Sequence, residues 1–226
     1  MARFYSLKKK DEYDDKMADP FDVLRRSQDT TKEAYKPESN IHNMAKAYEF
    51  LADGFEDIEA LAPVDILRRG GVEVKTVSIS GSKMVESAHG VKVEADMLFD
   101  EADFADADLL LIPGGMPGAK NIDEHEGVRH ALMRHAERKK LIGAICAGPM
   151  VLGHLGLLDG LLATCYPGFE TELRGAEYTA APATIDRNII TGKGPGASFV
   201  YGYMLLETLM GRQVVEALKE GMMYDD

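Results

Sequence analysis

Cys146 lies in "LIGAICAGPMVLG", residues 141 to 153, where an apolar run with two isoleucines gives way to Ala, Gly and Pro. The pattern Ala144-x-Cys146-x-Gly148 sets a small residue two positions either side of the thiol. That is the spacing of a nucleophile elbow, a tight strand-to-helix turn that leaves no room for flanking side chains. A helix over "PMVLGHLG" would aim its first N–H groups at the sulfur, which predicts a lowered thiol pKa and a nucleophile. The plainer alternative for the residue alone is a buried cysteine packed as a small hydrophobe.

Glu59, in "LADGFEDIEAL", is the second residue with chemical promise. At about 100° per residue it falls beside Ile66, at the border of an apolar stripe formed by Ile58, Leu61, Ala62 and Ile66. A carboxyl pressed into such a margin has its pKa raised, and in its protonated form it can hydrogen-bond a thiolate or move a proton. Glu56 and Asp57 read as first-turn acids on the helix dipole. The third feature is Gly114-Gly115 in "LIPGGMPGAKNI", where bare backbone N–H groups can approach an oxyanion. That segment has neither Gly-x-Gly-x-x-Gly nor a Lys-Ser/Thr pairing, which disfavours nucleotide binding.

These residues need a scaffold, and from Met44 onward the pattern is one of strands alternating with helices. "AYEFLA" (47–52), "VEVKTVSI" (72–79), "DLLLIPGG" and "LIGAIC" read as strands. "EDIEALAPVDILRRGG", "HEGVRHALMRHAERKK", "SFVYGYMLLETLMG" and "QVVEALKEGM" read as helices, and "VESAHGVKVEAD" as a hairpin turning near His89-Gly90. Short apolar strands separated by amphipathic helices predict an α/β fold: a doubly wound, flavodoxin-like parallel sheet sandwiched by helices. Reactive groups in such folds gather at the carboxyl ends of the strands, where Cys146 stands.

Composition bounds the function. The chain has 226 residues, 45% hydrophobic and 28% charged, enough for one full domain. Its apolar runs fall far short of the roughly 20 residues that span a bilayer, and the N-terminus lacks a secretory pattern, so a cytoplasmic protein is expected. Two cysteines give no disulfide framework and no structural zinc site. A net charge of −12 disfavours nucleic acid and anionic lipid as partners, leaving a small molecule or another protein. Residues 1–43 carry nine acids and nine bases without sustained periodicity and read as a mobile extension, with one short helix over "DPFDVLRRS". The acidic excess therefore falls on residues 44–226.

Taken together, "FLADGFEDIEALAPVDILRRGGVEVKTVSI", "LLLIPGGMPGAKNI", "AICAGPMVLG", "ATCYPG" and "GKGPGASF" resemble the DJ-1 branch of the DJ-1/PfpI superfamily, in family order and spacing. The resemblance implies that Cys146 is the reactive cysteine, that Glu59 is the carboxyl that tunes it, and that the amides of Gly115 and Ala147 hold an oxygen of substrate or of oxidised sulfur. It also implies a homodimer with Asp65 and Arg69 at the interface, where the helical pattern sets both on the apolar side of their helix. No cofactor or metal is implied. The implied activity is glyoxalase III chemistry on reactive dicarbonyls or deglycase chemistry on early glycation adducts; the alternative is a redox sensor or chaperone in which Cys146 becomes a sulfinic acid.

The chain departs from that pattern at Tyr166, where family members with glyoxalase chemistry usually carry histidine. His89, which aligns where a basic residue approaches the partner's site, is a candidate to supply that imidazole across the dimer. Ala147 stands where the protease-like branch has histidine, which argues against a peptidase. The lack of any histidine after His154 argues against a glutamine amidotransferase. His125, His130 and His135 read as surface residues, and Cys165 as a packing residue facing away from Tyr166.

Overall fold

The computed structural model describes residues 44–224. The proposed helix near residue 20 and the rest of the extension lie outside the described residues. Among the described residues there are eleven strands: β1 (Lys46–Leu51), β2 (Glu73–Ser78), β3 (Met84–Glu86), β4 (Lys92–Glu94), β5 (Met97–Leu98), β6 (Leu109–Ile112), β7 (Leu141–Ile145), β8 (Leu162–Ala163), β9 (Glu177–Tyr178), β10 (Ala183–Asp186) and β11 (Ile189–Gly192). Six α-helices accompany them there: α1 (Asp57–Arg69), α2 (Gly118–Glu124), α3 (Glu126–Glu137), α4 (Pro149–His154), α5 (Ser198–Met210) and α6 (Arg212–Met222).

Seven strands form the central sheet in the order β10-β11-β7-β6-β1-β2-β5. Every pairing in it is parallel except β10 with β11, an antiparallel edge that the sequence pattern did not suggest. The chain runs outward from β1 through β2 and returns to β6 on the other side of β1. This places the topological switch point between β1 and β6, at whose carboxyl ends ligands of such folds bind.

Alternation along each strand sends successive side chains to opposite faces. Tyr48, Phe50, Leu110, Ile112 and Ile142 pack against α2, α3 and α4. Ala47, Leu109, Leu111, Leu141 and Ile145 pack against α1, α5 and α6. The α/β sandwich expected from the sequence is present, and the hairpin is present as the antiparallel pair β3–β4. α2 and the short strands β8 to β11 are additions. Among the described residues no helix is long and apolar enough to cross a membrane.

Candidate active site

Three loops at the carboxyl edge of the sheet converge: the one after β1 that starts α1, the glycine pair after β6, and the turn after β7. Glu56 caps α1 by accepting the Glu59 N–H through Oε2 at 2.8 Å, while its own N–H donates to the Gly114 carbonyl at 3.0 Å. The cap thus ties the start of α1 to the glycine turn. This arrangement turns Glu59 inward, where it is 0% exposed.

The apolar stripe anticipated for α1 faces the core only in part, through Ile66. Ile58 and Leu61 are exposed, and the buried residues are Glu59, Ala60, Pro63, Val64, Ile66 and Leu67. Glu59 belongs to the middle of the buried face rather than to its border. The same rotation puts Asp65 and Arg69 outside, in a 2.8 Å ion pair with each side chain more than half exposed. They keep their expected place beside Ile58 and Leu61, but that side of the helix faces outward rather than into the core.

Cys146 takes the elbow conformation. Its φ of +64° is in the left-handed region, which costs an L-residue about 1–2 kcal/mol. Backbone bonds hold it there: its N–H donates to Gly192 O at 2.9 Å, and its carbonyl accepts the Tyr166 N–H at 3.0 Å. A Cβ on Gly148 would stand 2.7 Å from the Ile112 carbonyl, so the small flank is required. Gly114 is required more directly, because a Cβ there would overlap Glu59 Oε2 and lie 2.6 Å from Cys146 Cβ. The acid and the cysteine therefore share the space that this glycine vacates. Gly115, with φ +86°, bends the chain so that its amide acts on the sulfur together with that of Ala147.

Neither oxygen of Glu59 has a hydrogen-bond partner among the described protein atoms. An ionised carboxylate so placed is strongly disfavoured. Burial, seconded by the charge of Glu56, pushes Glu59 up to about 7, against smaller opposing effects of the Cys146 thiol and the Gly114 amide. Burial also pushes the Cys146 thiol up, and the charge of Glu59 adds to it; only the Ala147 and Gly115 amides pull it down. This reverses the lowering anticipated from the helix end. α4 is only six residues long, so its dipole is small beside those two effects. The Glu59 charge acts only while Glu59 is ionised. Once Glu59 has titrated, above about 7, the coupled pair holds one proton, and its position on oxygen or on sulfur decides whether a nucleophile is present.

The remaining candidates are dispersed. Tyr166 is 47% exposed and its ring lies over Gly194, lining an open hollow of about 320 Å³ together with Pro182, Lys193 and Pro195. His89 is exposed and bonds Asp57 through Nδ1 at 2.7 Å; within its own chain its partners are Asp57 and, at 4.0 Å, Glu56. Those three are also the group of donors close enough to hold a metal ion, and they already satisfy one another. Cys165 is fully buried in the opposite face of the core, as packing predicts, while Tyr166 beside it points outward.

Two of the three helix-borne histidines differ from expectation. His135 is buried, with Nε2 3.0 Å from Leu141 O, and burial pushes it down to about 4. His125 is half-buried and caps α3 by accepting the Val128 N–H. His130 is exposed. The sequence reading passed over Glu49, Ser198 and Tyr201, all buried on the Glu59 side of the sheet. A glutamate at a core-facing position of "AYEFLA" was the available signal for the first of them.

A model of the DJ-1/PfpI family matches residues 45–208, which is most of the chain. The chain belongs to the DJ-1/PfpI family. The Parkinson disease protein 7 homolog of Danio rerio is 34% identical over 185 residues, covering 80% of this chain and 98% of that protein. A Caenorhabditis elegans protein named glutathione-independent glyoxalase DJR-1.2 is 32% identical over 168 residues, 72% of this chain and 87% of its own length. Among solved structures, oxidized Toxoplasma gondii DJ-1 superposes with a TM-score of 0.78 at 32% identity, covering 80% of this chain and all of that one. The elbow cysteine and the inward glutamate of this DJ-1 family chain thus sit on a fold shared over almost its whole described length.

Proposed function

We propose that this protein is a cofactor-independent cysteine enzyme acting on reactive dicarbonyls, with methylglyoxal as the type substrate and lactate as product. The observation that carries this reading is the buried Glu59, unpartnered and sharing the Gly114 space with Cys146. With the pair's proton on Glu59, the Cys146 thiolate adds to the aldehyde carbon, and Glu59 delivers its proton to the resulting alkoxide to give a hemithioacetal. Until then the amides of Gly115 and Ala147 stabilise the oxygen on which charge develops. Glu59, ionised again, takes the proton from the hemithioacetal carbon and returns it to the neighbouring carbonyl carbon, while the hydroxyl proton of the hemithioacetal passes to the neighbouring oxygen, giving a thioester of lactate. Water hydrolyses that ester and frees the thiol. The sum is methylglyoxal plus water to lactate, with no external oxidant. Addition to early glycation adducts would use the same first step.

The relative named as a glyoxalase supports this reading. Tyr166 can donate a hydrogen bond but is a poor base at neutral pH, so proton movement rests on Glu59. A lactate assay on the purified protein tests it: wild type forms lactate and Cys146→Ser does not, whereas equal rates would end the reading.

The second reading is a redox sensor, favoured by the structural relative described as oxidized. In it peroxide takes Cys146 to a sulfinic acid held by the same amides and by protonated Glu59. A stable gain of two oxygens at Cys146 after mild peroxide, with no lactate formed, would select it. In either reading we propose a cytoplasmic homodimer through the outer face of α1. Exposed Ile58 and Leu61 flank the Asp65–Arg69 pair there, and His89 would face the neighbouring subunit's site. Sedimentation of wild type against Leu61→Asp tests the assembly.

A further inference from the structure

Among the described residues, five buried side-chain polar atoms lack any hydrogen-bond partner, and they belong to Glu49, Glu59, Ser198 and Tyr201. All four residues lie in one region. Folded chains pair the great majority of their buried polar atoms, so a clustered exception calls for a shared explanation.

The placement follows from strand register and helix packing. Glu49 of β1 is in register with Leu111 of β6, and Leu111 with Gly143 of β7, so the three share one face of the sheet. A Cβ on Gly143 would stand 2.5 Å from the Tyr201 hydroxyl and 2.7 Å from Leu111 Cδ2. The phenol therefore lies flat on β7 because position 143 has no side chain, and its hydroxyl is directed along the row toward Glu49. The helices α1 and α5 run parallel, with Pro63 and Ile66 against Gly202 and Gly70 against Leu206. Their first turns therefore come together at the carboxyl edge of the sheet, bringing Ser198 and Tyr201 toward Glu59. The charges of Glu49 and of Glu59 both act on Tyr201.

We infer that Tyr201 and Glu49 are positioning residues for the proton on Glu59, joined to it and to Ser198 through interior water in a relay that runs from the reactive cysteine into the core. The inference rests on the reading that Glu59 moves the catalytic proton. Tyr201 is the central member. As a donor its hydroxyl steadies ionised Glu59; as an acceptor it takes the proton of Glu49, which burial keeps neutral against the pull of Arg68. The groups that face the relay are Glu56 and Cys146 beside Glu59, and Arg68 near Glu49. Water is the fitting ligand because one molecule can donate to one of these groups while accepting from another.

The test is infrared titration of the buried carboxylic acid bands in the full chain, with Glu59 assigned by Glu59→Gln. In Tyr201→Phe and in Glu49→Leu, ionised Glu59 loses its support, so its titration midpoint rises by half a pH unit or more, about a threefold change in proton affinity. A crystal structure should show an ordered water bonded to Tyr201 and at least one acid. The proposal is overturned if Tyr201→Phe leaves the midpoint unmoved, whether or not it melts higher, or if no water touches the hydroxyl. If Glu49→Leu fails to fold, Tyr201→Phe still decides, because it deletes only a hydroxyl without a protein partner. Absence of lactate from wild type would remove the dicarbonyl reading and leave these two measurements standing.

Discussion

The two faces of the sheet bury the same kind of aliphatic core yet treat titratable groups in opposite ways. On the α2–α3–α4 face, Phe50, Phe99 and Phe104 form an aromatic cluster with centroids 5.2 to 6.2 Å apart, and the buried imidazole of α3, His135, is anchored on the Leu141 carbonyl. On the α1–α5 face, Glu49, Glu59, Ser198 and Tyr201 are buried with polar atoms left over. The first face is closed, since its buried imidazole has a backbone partner. The second carries unpaired groups, each costing about 1–3 kcal/mol of lost hydration. In the proposed mechanism that cost keeps a proton ready beside the Cys146 sulfur.

The largest expected effect breaks the second face at its chemical end: Cys146→Ser should lower lactate formation on the order of a thousandfold or more, with the fold intact by circular dichroism. Next, Phe50→Ala on the closed face should cost about 3–5 kcal/mol in denaturant titrations. Under native conditions it should leave the pH profile of Cys146 alkylation unchanged. A shifted profile would show that the two faces are not independent.

The pH dependence of stability then separates the faces by sign. Glu59 has a folded pKa of about 7 against an ordinary 4.5, so its contribution is fully present below 4.5 and is lost as pH rises through 7. The loss is roughly 3 kcal/mol, absent from Glu59→Gln. His135 is pushed down to about 4 from 6.5, so its contribution is present above 6.5 and lost as pH falls through 4. A slope of similar size, about 3 kcal/mol, should therefore appear on the acid side and vanish in His135→Gln. The smallest effect is Arg69→Ala, whose exposed ion pair is worth about 0.2–1 kcal/mol to the single subunit. A larger loss that depends on protein concentration would support the proposed dimer face.

What could be read from the sequence follows this division. Strand pattern and the Ala144-x-Cys146-x-Gly148 spacing located the elbow, because both are local consequences of backbone geometry. The face of α1 was misjudged because apolar residues lie nearly all round it; packing against α5, at Gly202 and Leu206, chooses which of them are covered. The short strands β8 to β11 are two to four residues long, too short to show a period. The direction of the thiol pKa was misjudged because a helix dipole is visible in sequence, whereas burial beside another acid is not. Tyr201 was passed over for the same reason: only the register of β1, β6 and β7 brings it into line with Glu49.

The most direct test of the shared-proton account is the rate of Cys146 alkylation by iodoacetamide from pH 5 to 9, in wild type and in Glu59→Gln. Below about 7 the pair holds two protons; above it one proton is divided between acid and sulfur, and the thiolate fraction no longer depends on pH. The wild-type rate should then climb up to about pH 7 and level off above it, while Glu59→Gln should go on rising about tenfold per pH unit as an isolated high-pKa thiol does. A wild-type rate that climbs tenfold per unit throughout, parallel to the variant, would contradict the account.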